Sequence, residues 1–163
     1  MTHVLCPGSF DPPTLGHLDI FERAVDLFDY VTVAVVVNPS KTGLFSVDER
    51  VELLRTVTAR WDTVDVDSSD GLLVDYCTRR GITGIVKGIR TADDVSYELQ
   101  MAQMNAHLTN VRTILLPTAP EYSFISSSLV RQVARLGGDV SDLLPDEIAE
   151  ALVERFRPGT PAP

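Results

Sequence analysis

Short apolar runs alternate with amphipathic segments along most of the chain, and this alternation constrains the fold more than any other feature. Runs rich in β-branched residues predict five strands, at 3–6, 30–37, 64–67, 84–88 and 111–116. Helical periodicity and end signals predict helices around 18–28, 46–60, 71–80, 94–107, 126–136 and 145–156. Because strands and helices alternate, we predict an α/β fold with a single doubly wound, five-stranded parallel sheet covered by helices on both faces.

Length and composition limit the kinds of protein this chain can be. The 163 residues fit one domain, predicted over 1–157, and the Pro- and Gly-rich segment 158–163 predicts a disordered tail. A net charge of −9 argues against nucleic acid and anionic membranes as partners. Neither a signal peptide nor a membrane-length apolar run is evident, and two cysteines make no disulfide framework or metal motif, so we expect a cytoplasmic protein.

The first predicted strand ends in a turn that carries a candidate phosphate site. Its sequence is P-G-S-F-D-P-P-T-L-G-H, from Pro7 to His17. Gly16 allows close approach to the backbone, and His17 falls in the first turn of the next helix, where free N–H groups attract anions. A solvated surface histidine is the alternative. The P-loop and the dinucleotide fingerprint are both absent, whereas T-x-G-H is a variant of the H-x-G-H signature of nucleotidyltransferases.

Two further segments lie where this type of sheet binds ligands, beyond the carboxyl ends of its strands. Tyr122–Ser128 reads Y-S-F-I-S-S-S and puts three serines at a helix start, either as an anion cradle or as a redundant helix cap. Lys87 and Arg90 flank a glycine at the end of the fourth strand, and Lys41 follows the second strand on the same edge. A helix after Arg90 carries Glu98, an acid that on its own is most often solvated.

Taken together, these segments resemble bacterial phosphopantetheine adenylyltransferases, from about Val4 to Phe156. The matching segments are the turn before His17, N-P-S-K, D-E-R, V-K-G-I-R, Y-E-L-Q-M-A-Q-M-N and Y-S-F-I-S-S-S. The resemblance implies a Rossmann-like nucleotidyltransferase fold. It also implies transfer of the adenylyl group of ATP to 4′-phosphopantetheine, giving dephospho-coenzyme A and pyrophosphate. Such enzymes use Mg²⁺ and form hexamers, so we expect both here, with no metal ligand assigned to the chain.

The resemblance also assigns a role to each matched residue. His17 is the implied catalytic residue, a donor that contacts ATP and stabilises the transition state. Acceptor binding is implied for Ser9, Lys41, Leu73 and Lys87. ATP binding is implied for Ser9, Phe10, His17, Gly88, Ile89, Arg90, Glu98, Tyr122, Ser123, Phe124, Ile125, Ser126, Ser127 and Ser128.

Two departures from the family pattern affect the acceptor side. Ser9 stands where many members have threonine, which keeps the hydroxyl, and Lys87 stands where arginine is common, which keeps the charge but loses the bidentate fork. Two alternatives stay open. One is an adenylyl- or cytidylyltransferase with another acceptor, such as nicotinamide mononucleotide or glycerol phosphate, and the other is a non-catalytic nucleotide sensor.

Overall fold

The strands and helices follow the predicted order along the chain. The computed structural model describes residues 1–159. Of the predicted tail 158–163, residues 160–163 lie outside the described residues, so that prediction stays open. The strands are β1 (His3–Gly8), β2 (Tyr30–Val36), β3 (Val64–Ser69), β4 (Gly84–Ile89) and β5 (Arg112–Pro117). The helices are α1 (Leu15–Leu27), α2 (Val47–Thr58), α3 (Leu73–Arg80), α4 (Ala92–Leu108), α5 (Ser127–Arg135) and α6 (Asp146–Arg155).

The five strands form one sheet in the order β3-β2-β1-β4-β5. All four strand pairs are parallel, with Cys6 beside Val33 and Leu5 beside Ile85 in the register of the central strand. The predicted doubly wound parallel sheet is therefore confirmed. The chain order reverses direction between β1 and β4, and at such a point a crevice opens beyond the strand ends.

Buried side chains form a core on each face of the sheet, because successive residues of a strand point to opposite faces. Val4 and Cys6 of β1 belong to the larger core, which also contains residues of α1, α2, α5 and α6. Leu5 points the other way, into a smaller core that contains Tyr76 and Cys77 of α3. Both cysteines are buried and free.

Helix boundaries differ from the sequence predictions mainly at their starts, and at α4 a capping residue explains the difference. Thr91 caps α4 and accepts a hydrogen bond from the Asp94 N–H group, so the helix begins at Ala92 and not at Asp94. At the carboxyl end of α3, Gly81 adopts a left-handed conformation with φ of 66°, as expected of a glycine after a helix. Two short 3-10 helices, Pro120–Tyr122 and Ser141–Leu143, were not predicted.

Within residues 1–159, every helix is too short or too polar to cross a membrane.

Candidate active site

A cavity of about 270 Å³ opens at the carboxyl edge of the sheet, where β1 and β4 end and where α1, α4 and α5 begin. His17 and Ser127 both line it, although they are far apart in sequence. This is the edge at which the sequence places its candidate residues. The full lining is Cys6, Pro7, Gly8, Phe10, Thr14, Gly16, His17, Ile20, Phe21, Val86, Lys87, Gly88, Arg90, Asp94, Glu98, Thr118, Ile125, Ser126 and Ser127.

The turn after β1 is held by its own aromatic residue and by two arginines. Phe10 is buried at φ of 49°, and a Cβ atom at Gly8 would lie 2.8 Å from its ring, so this position needs glycine. The Ser9 carbonyl accepts a hydrogen bond from Arg50 Nη1 at 2.9 Å, and Arg131 Nη1 donates to the Asp11 carbonyl. Ser9 itself is outside the cavity lining.

His17 is the third residue of α1 and belongs to a capping box with Thr14. Its Nδ1 atom accepts a hydrogen bond from the Thr14 N–H group at 3.0 Å. In a neutral imidazole one nitrogen accepts and the other carries the proton, so we assign the proton of His17 to Nε2. Burial lowers the pKa of His17 to about 4, and the positive charge of Arg90 acts in the same direction. At neutral pH the ring is therefore an uncharged N–H donor in the cavity wall.

Lys87 and Gly88, near the end of β4, line the larger cavity. The Lys87 ammonium lies 3.1 Å from a carboxylate oxygen of Glu98, and both side chains are largely buried. A Cβ atom at Gly88 would lie 2.8 Å from Ile20 Cγ1, so glycine allows β4 to approach α1 closely. Lys87 and Glu98 thus form an ion pair with no net charge in the cavity wall.

Arg90 follows β4 and connects it to the segment Tyr122–Ser128, called the serine loop below. Its Nη1 atom donates to the Ile125 carbonyl at 2.9 Å, and its Nε atom donates to Asp94 at 3.2 Å. Asp94 also accepts from the Arg90 backbone N–H group at 2.9 Å. Asp94 is not among the site residues predicted from the sequence. Two local signals could have indicated it: the Thr91–Asp94 spacing of a capping box, and the four-residue spacing between Arg90 and Asp94, which form an ion pair.

The three serines at the start of α5 differ in what they contact. Ser126 is the N-cap and accepts from the Leu129 N–H group at 3.1 Å. Ser127 donates to the Pro12 carbonyl at 2.8 Å and so ties the serine loop to the turn after β1. Ser128 is exposed and receives a hydrogen bond from Arg131. The first two serines line the cavity, and the third does not.

A second, smaller cavity of about 80 Å³ lies beside the first, and Lys87 and Glu98 line both. Leu73, at the start of α3, is part of its lining. Thr113 of β5 also lines it, and the Thr113 hydroxyl is a buried polar group without a hydrogen-bond partner among the described residues. The other lining residues are Ile85, Tyr97, Met101, Ala102 and Asn105.

The candidate site residues from the sequence fall into three groups. Those in the larger cavity are Phe10, His17, Lys87, Gly88, Arg90, Glu98, Ile125, Ser126 and Ser127. Leu73 lines only the smaller cavity, again with Lys87 and Glu98. Lys41 is exposed on the loop after β2 and lines neither. The structure likewise leaves Ser9, Ile89, Tyr122, Ser123, Phe124 and Ser128 outside both linings.

The chain is similar to known proteins along most of its length. Residues 5–133 match the family model described as cytidylyltransferase-like. The chain is 56% identical over 157 residues to a phosphopantetheine adenylyltransferase of Streptomyces coelicolor, an alignment that covers 96% of this chain and 99% of the relative. This chain belongs to the phosphopantetheine adenylyltransferase family. The family predicted from the sequence is therefore confirmed.

A solved structure from Vibrio parahaemolyticus, described as a putative nicotinate-nucleotide adenylyltransferase, has the same fold. It superposes with a TM-score of 0.64 over 94% of this chain and 99% of its own, at 18% identity. At that identity the match concerns the fold alone, and it confirms the Rossmann-like nucleotidyltransferase architecture.

Proposed function

We propose that this chain transfers the adenylyl group of ATP to 4′-phosphopantetheine, which gives dephospho-coenzyme A and pyrophosphate. The observation that carries the proposal is the meeting of His17, Arg90 and Ser127 in one cavity at the carboxyl edge of the sheet. That arrangement occurs in a chain 56% identical to a phosphopantetheine adenylyltransferase. We therefore assign the activity of a pantetheine-phosphate adenylyltransferase to this cavity.

The larger cavity is the proposed ATP site. The first turns of α1 and α5 face this cavity, and their N–H groups and helix dipoles favour negative charge. The Arg90 guanidinium adds a positive charge. Phe10, Gly88 and Ser127 provide a close-packed wall for the nucleotide. The contacts implied for Ser9, Ile89, Glu98 and the 122–128 loop remain part of the proposal.

The acceptor is proposed to lie across the boundary of the two cavities. Lys87 lines both cavities, which supports the proposal that its ammonium holds the acceptor phosphate next to the ATP site. The smaller cavity, with Leu73 in its wall, then receives the start of the pantetheine arm. Lys41 lies on an exposed loop and lines neither cavity, and its contact with the acceptor is part of the proposal.

The reaction needs positioning and charge stabilisation more than acid–base chemistry. One oxygen of the acceptor phosphate attacks the α-phosphorus of ATP, and the bond to the bridging oxygen of pyrophosphate breaks. A phosphate dianion is already nucleophilic, so no base has to remove a proton. Positioning two reactants contributes up to roughly 7–11 kcal/mol. His17 donates from Nε2 to the α-phosphoryl oxygens, where one such donor contributes about 3–4 kcal/mol to the transition state.

Mg²⁺ is proposed to arrive bound to the phosphates of ATP. Within residues 1–159 no group of three or more histidine, cysteine or acidic side chains is arranged to hold a metal ion. Asp94 and Glu98, the acids of the larger cavity, are each paired with a cation. Mg²⁺ commonly keeps several waters and binds through substrate phosphates. We therefore propose no residue of the chain as its ligand.

Assembly and location are also proposed. Helix α4 has 17 residues and none is buried, which leaves an apolar face for other copies of the chain and supports the expected homohexamer. The two free cysteines support the proposal that the protein acts in the reducing environment of the cytoplasm. Neither nucleic acid nor membrane is proposed as a partner.

The proposal is tested by offering the purified chain ATP, Mg²⁺ and a mixture of 4′-phosphopantetheine, nicotinamide mononucleotide and glycerol phosphate. Mass spectrometry should identify dephospho-coenzyme A and pyrophosphate as the dominant products, with the His17→Ala variant as the low-activity control. An adenylylated mononucleotide as the main product would favour the other acceptor class. Tight ATP binding without any adenylylated product would favour a nucleotide sensor.

A further inference from the structure

The larger cavity contains a carboxylate that its proposed ligand should repel. Asp94, in the first turn of α4, lines the cavity proposed for ATP, whose triphosphate is strongly negative. A negative side chain near phosphates costs binding free energy unless another group neutralises it or benefits from it. Its presence therefore calls for a compensating contribution.

The compensating partner is Arg90. A single carboxylate oxygen of Asp94 accepts from the Arg90 backbone N–H group at 2.9 Å, from Arg90 Nε at 3.2 Å and from the Thr91 N–H group at 3.3 Å. Burial raises the pKa of Asp94, but the hydrogen bonds from Arg90 outweigh burial, and the net pKa lies below its usual range. Asp94 is thus ionised at neutral pH and anchored to both the main chain and the side chain of Arg90.

Arg90 is fixed at its other end by the serine loop. Its Nη1 atom donates to the Ile125 carbonyl at 2.9 Å, one residue before the N-cap of α5. A guanidinium has five N–H donors in a rigid plane. With Nε bonded to Asp94 and one Nη1 hydrogen bonded to Ile125, the plane is fixed and the remaining three donors are available to a ligand in the cavity.

We propose that Asp94 is a positioning residue for nucleotide binding, which holds the Arg90 guanidinium between α4 and the serine loop in the orientation that binds the phosphates of ATP. The inference rests on the proposed function, because it takes the larger cavity as the ATP site. Asp94 itself touches no phosphate and acts only through Arg90.

The main competing role for Asp94 is that of a helix cap. Asp94 pairs with Thr91 in the capping box of α4, so a purely structural role predicts a less stable protein with unchanged ligand affinity. A role limited to repulsion predicts the opposite of positioning, because removal of the charge would then tighten ATP binding. Ligand affinity and melting temperature, measured on the same variants, separate these roles.

The experiment is a double-mutant cycle with Asp94→Asn, Arg90→Ala and the double variant. Asparagine keeps one side-chain oxygen for the helix cap but loses the charge that orients the guanidinium. Asp93→Asn is the matched control, because Asp93 is an exposed acid of the same helical turn. The Kd for ATP with Mg²⁺ is measured by calorimetry, the KM values for both substrates by turnover, and Tm by thermal unfolding.

Asp94→Asn should raise the Kd for ATP roughly 5–20-fold, the range expected when one charge-assisted contact is lost. It should change the KM for 4′-phosphopantetheine less than about twofold, and Asp93→Asn should change neither value. In the Arg90→Ala background the same substitution should have almost no further effect, because residues that act as a unit are not additive. Additive effects, unchanged affinity with a lower Tm, or tighter ATP binding would each overturn the inference.

Failure of the proposed function gives a different pattern. If the unmodified chain binds ATP and the cycle is non-additive, but no dephospho-coenzyme A forms, then the positioning role stands and the acceptor assignment falls. If the unmodified chain turns over both substrates and the cycle is additive, then the function stands and the positioning role falls.

Discussion

At the residue scale, His17 is the side chain whose protonation follows most directly from its contacts. Because Nδ1 accepts from the Thr14 N–H group, Nε2 is the donor of the neutral ring. His17→Ala should lower kcat by about 10²–10³, the usual cost of one donor to a developing charge, with a modest change in the KM values. Steady-state kinetics with both substrates varied is the measurement. Near-normal kcat together with collapse of ATP binding would make His17 a binding residue only.

The lowered pKa of His17 also predicts a pH dependence of stability. The folded ring titrates at about 4, whereas an unfolded chain titrates near 6.5. Between these values the unfolded chain binds more protons, so the stabilising contribution is complete above about pH 6.5 and is lost as pH falls toward 4. The free energy of unfolding in urea should fall from pH 7 to pH 5 by about 2 kcal/mol more in the unmodified chain than in His17→Gln. Equal pH slopes for the two proteins would contradict the assignment.

At the scale of elements, the sequence predicts the strands and the helix ends that local chemistry fixes. The β-branched run of β2, the Ser46 capping box and the glycine after α3 are all local signals, and all three appear in the structure. Contacts between elements are not encoded locally. The pairing of Arg90 with Ile125 joins residues 35 positions apart, and the start of α5 turns Ser127 inward but Ser128 outward. Lys41 follows its strand as predicted, yet it is exposed and lines neither cavity.

Lys87 on β4 lines both cavities, whereas Lys41 on the loop after β2 lines neither, and this difference gives a test of the acceptor site. Lys87→Gln removes a cation from the boundary of the two cavities but retains a hydrogen-bonding side chain for Glu98. We expect the KM for 4′-phosphopantetheine to rise about 10–100-fold, since a charge-assisted hydrogen bond contributes about 1.5–3 kcal/mol. The KM for ATP should change little. Lys41→Gln should have a smaller effect, and Lys87→Arg, which supplies a bidentate fork, should lower the KM for the acceptor.

Those outcomes also bear on Glu98, which the family resemblance implies as an ATP contact and which the structure pairs with Lys87. If Lys87→Gln weakens both substrates equally, the two cavities do not divide the substrates between them. If Lys41→Gln proves the more harmful change, the loop after β2 closes over the acceptor and contributes the main phosphate contact.

At the scale of the whole molecule, the outer face of α4 carries an apolar stripe that this chain alone leaves in water. Tyr97, Met101, Met104 and Leu108 recur at helical spacing and are all exposed, between 41% and 63%. Exposed apolar residues in a row are a common sign of a contact surface. Tyr97 and Met101 also line the smaller cavity. A second copy on this stripe would therefore also cover the proposed site of the pantetheine arm.

Assembly and acceptor binding should consequently fail together. In sedimentation at micromolar concentration, the unmodified chain should have about six times the 17.9 kDa mass of one chain. Met104→Glu places a charge within the stripe without touching either cavity lining, and it should yield smaller species because burial of an unpaired charge is costly. The same variant should raise the KM for 4′-phosphopantetheine more than the KM for ATP.

Gln103→Glu adds the same charge at the neighbouring exposed position and should leave both mass and kinetics unchanged. A monomeric unmodified chain with full activity would show that α4 is no assembly surface and that the acceptor site is complete in one chain.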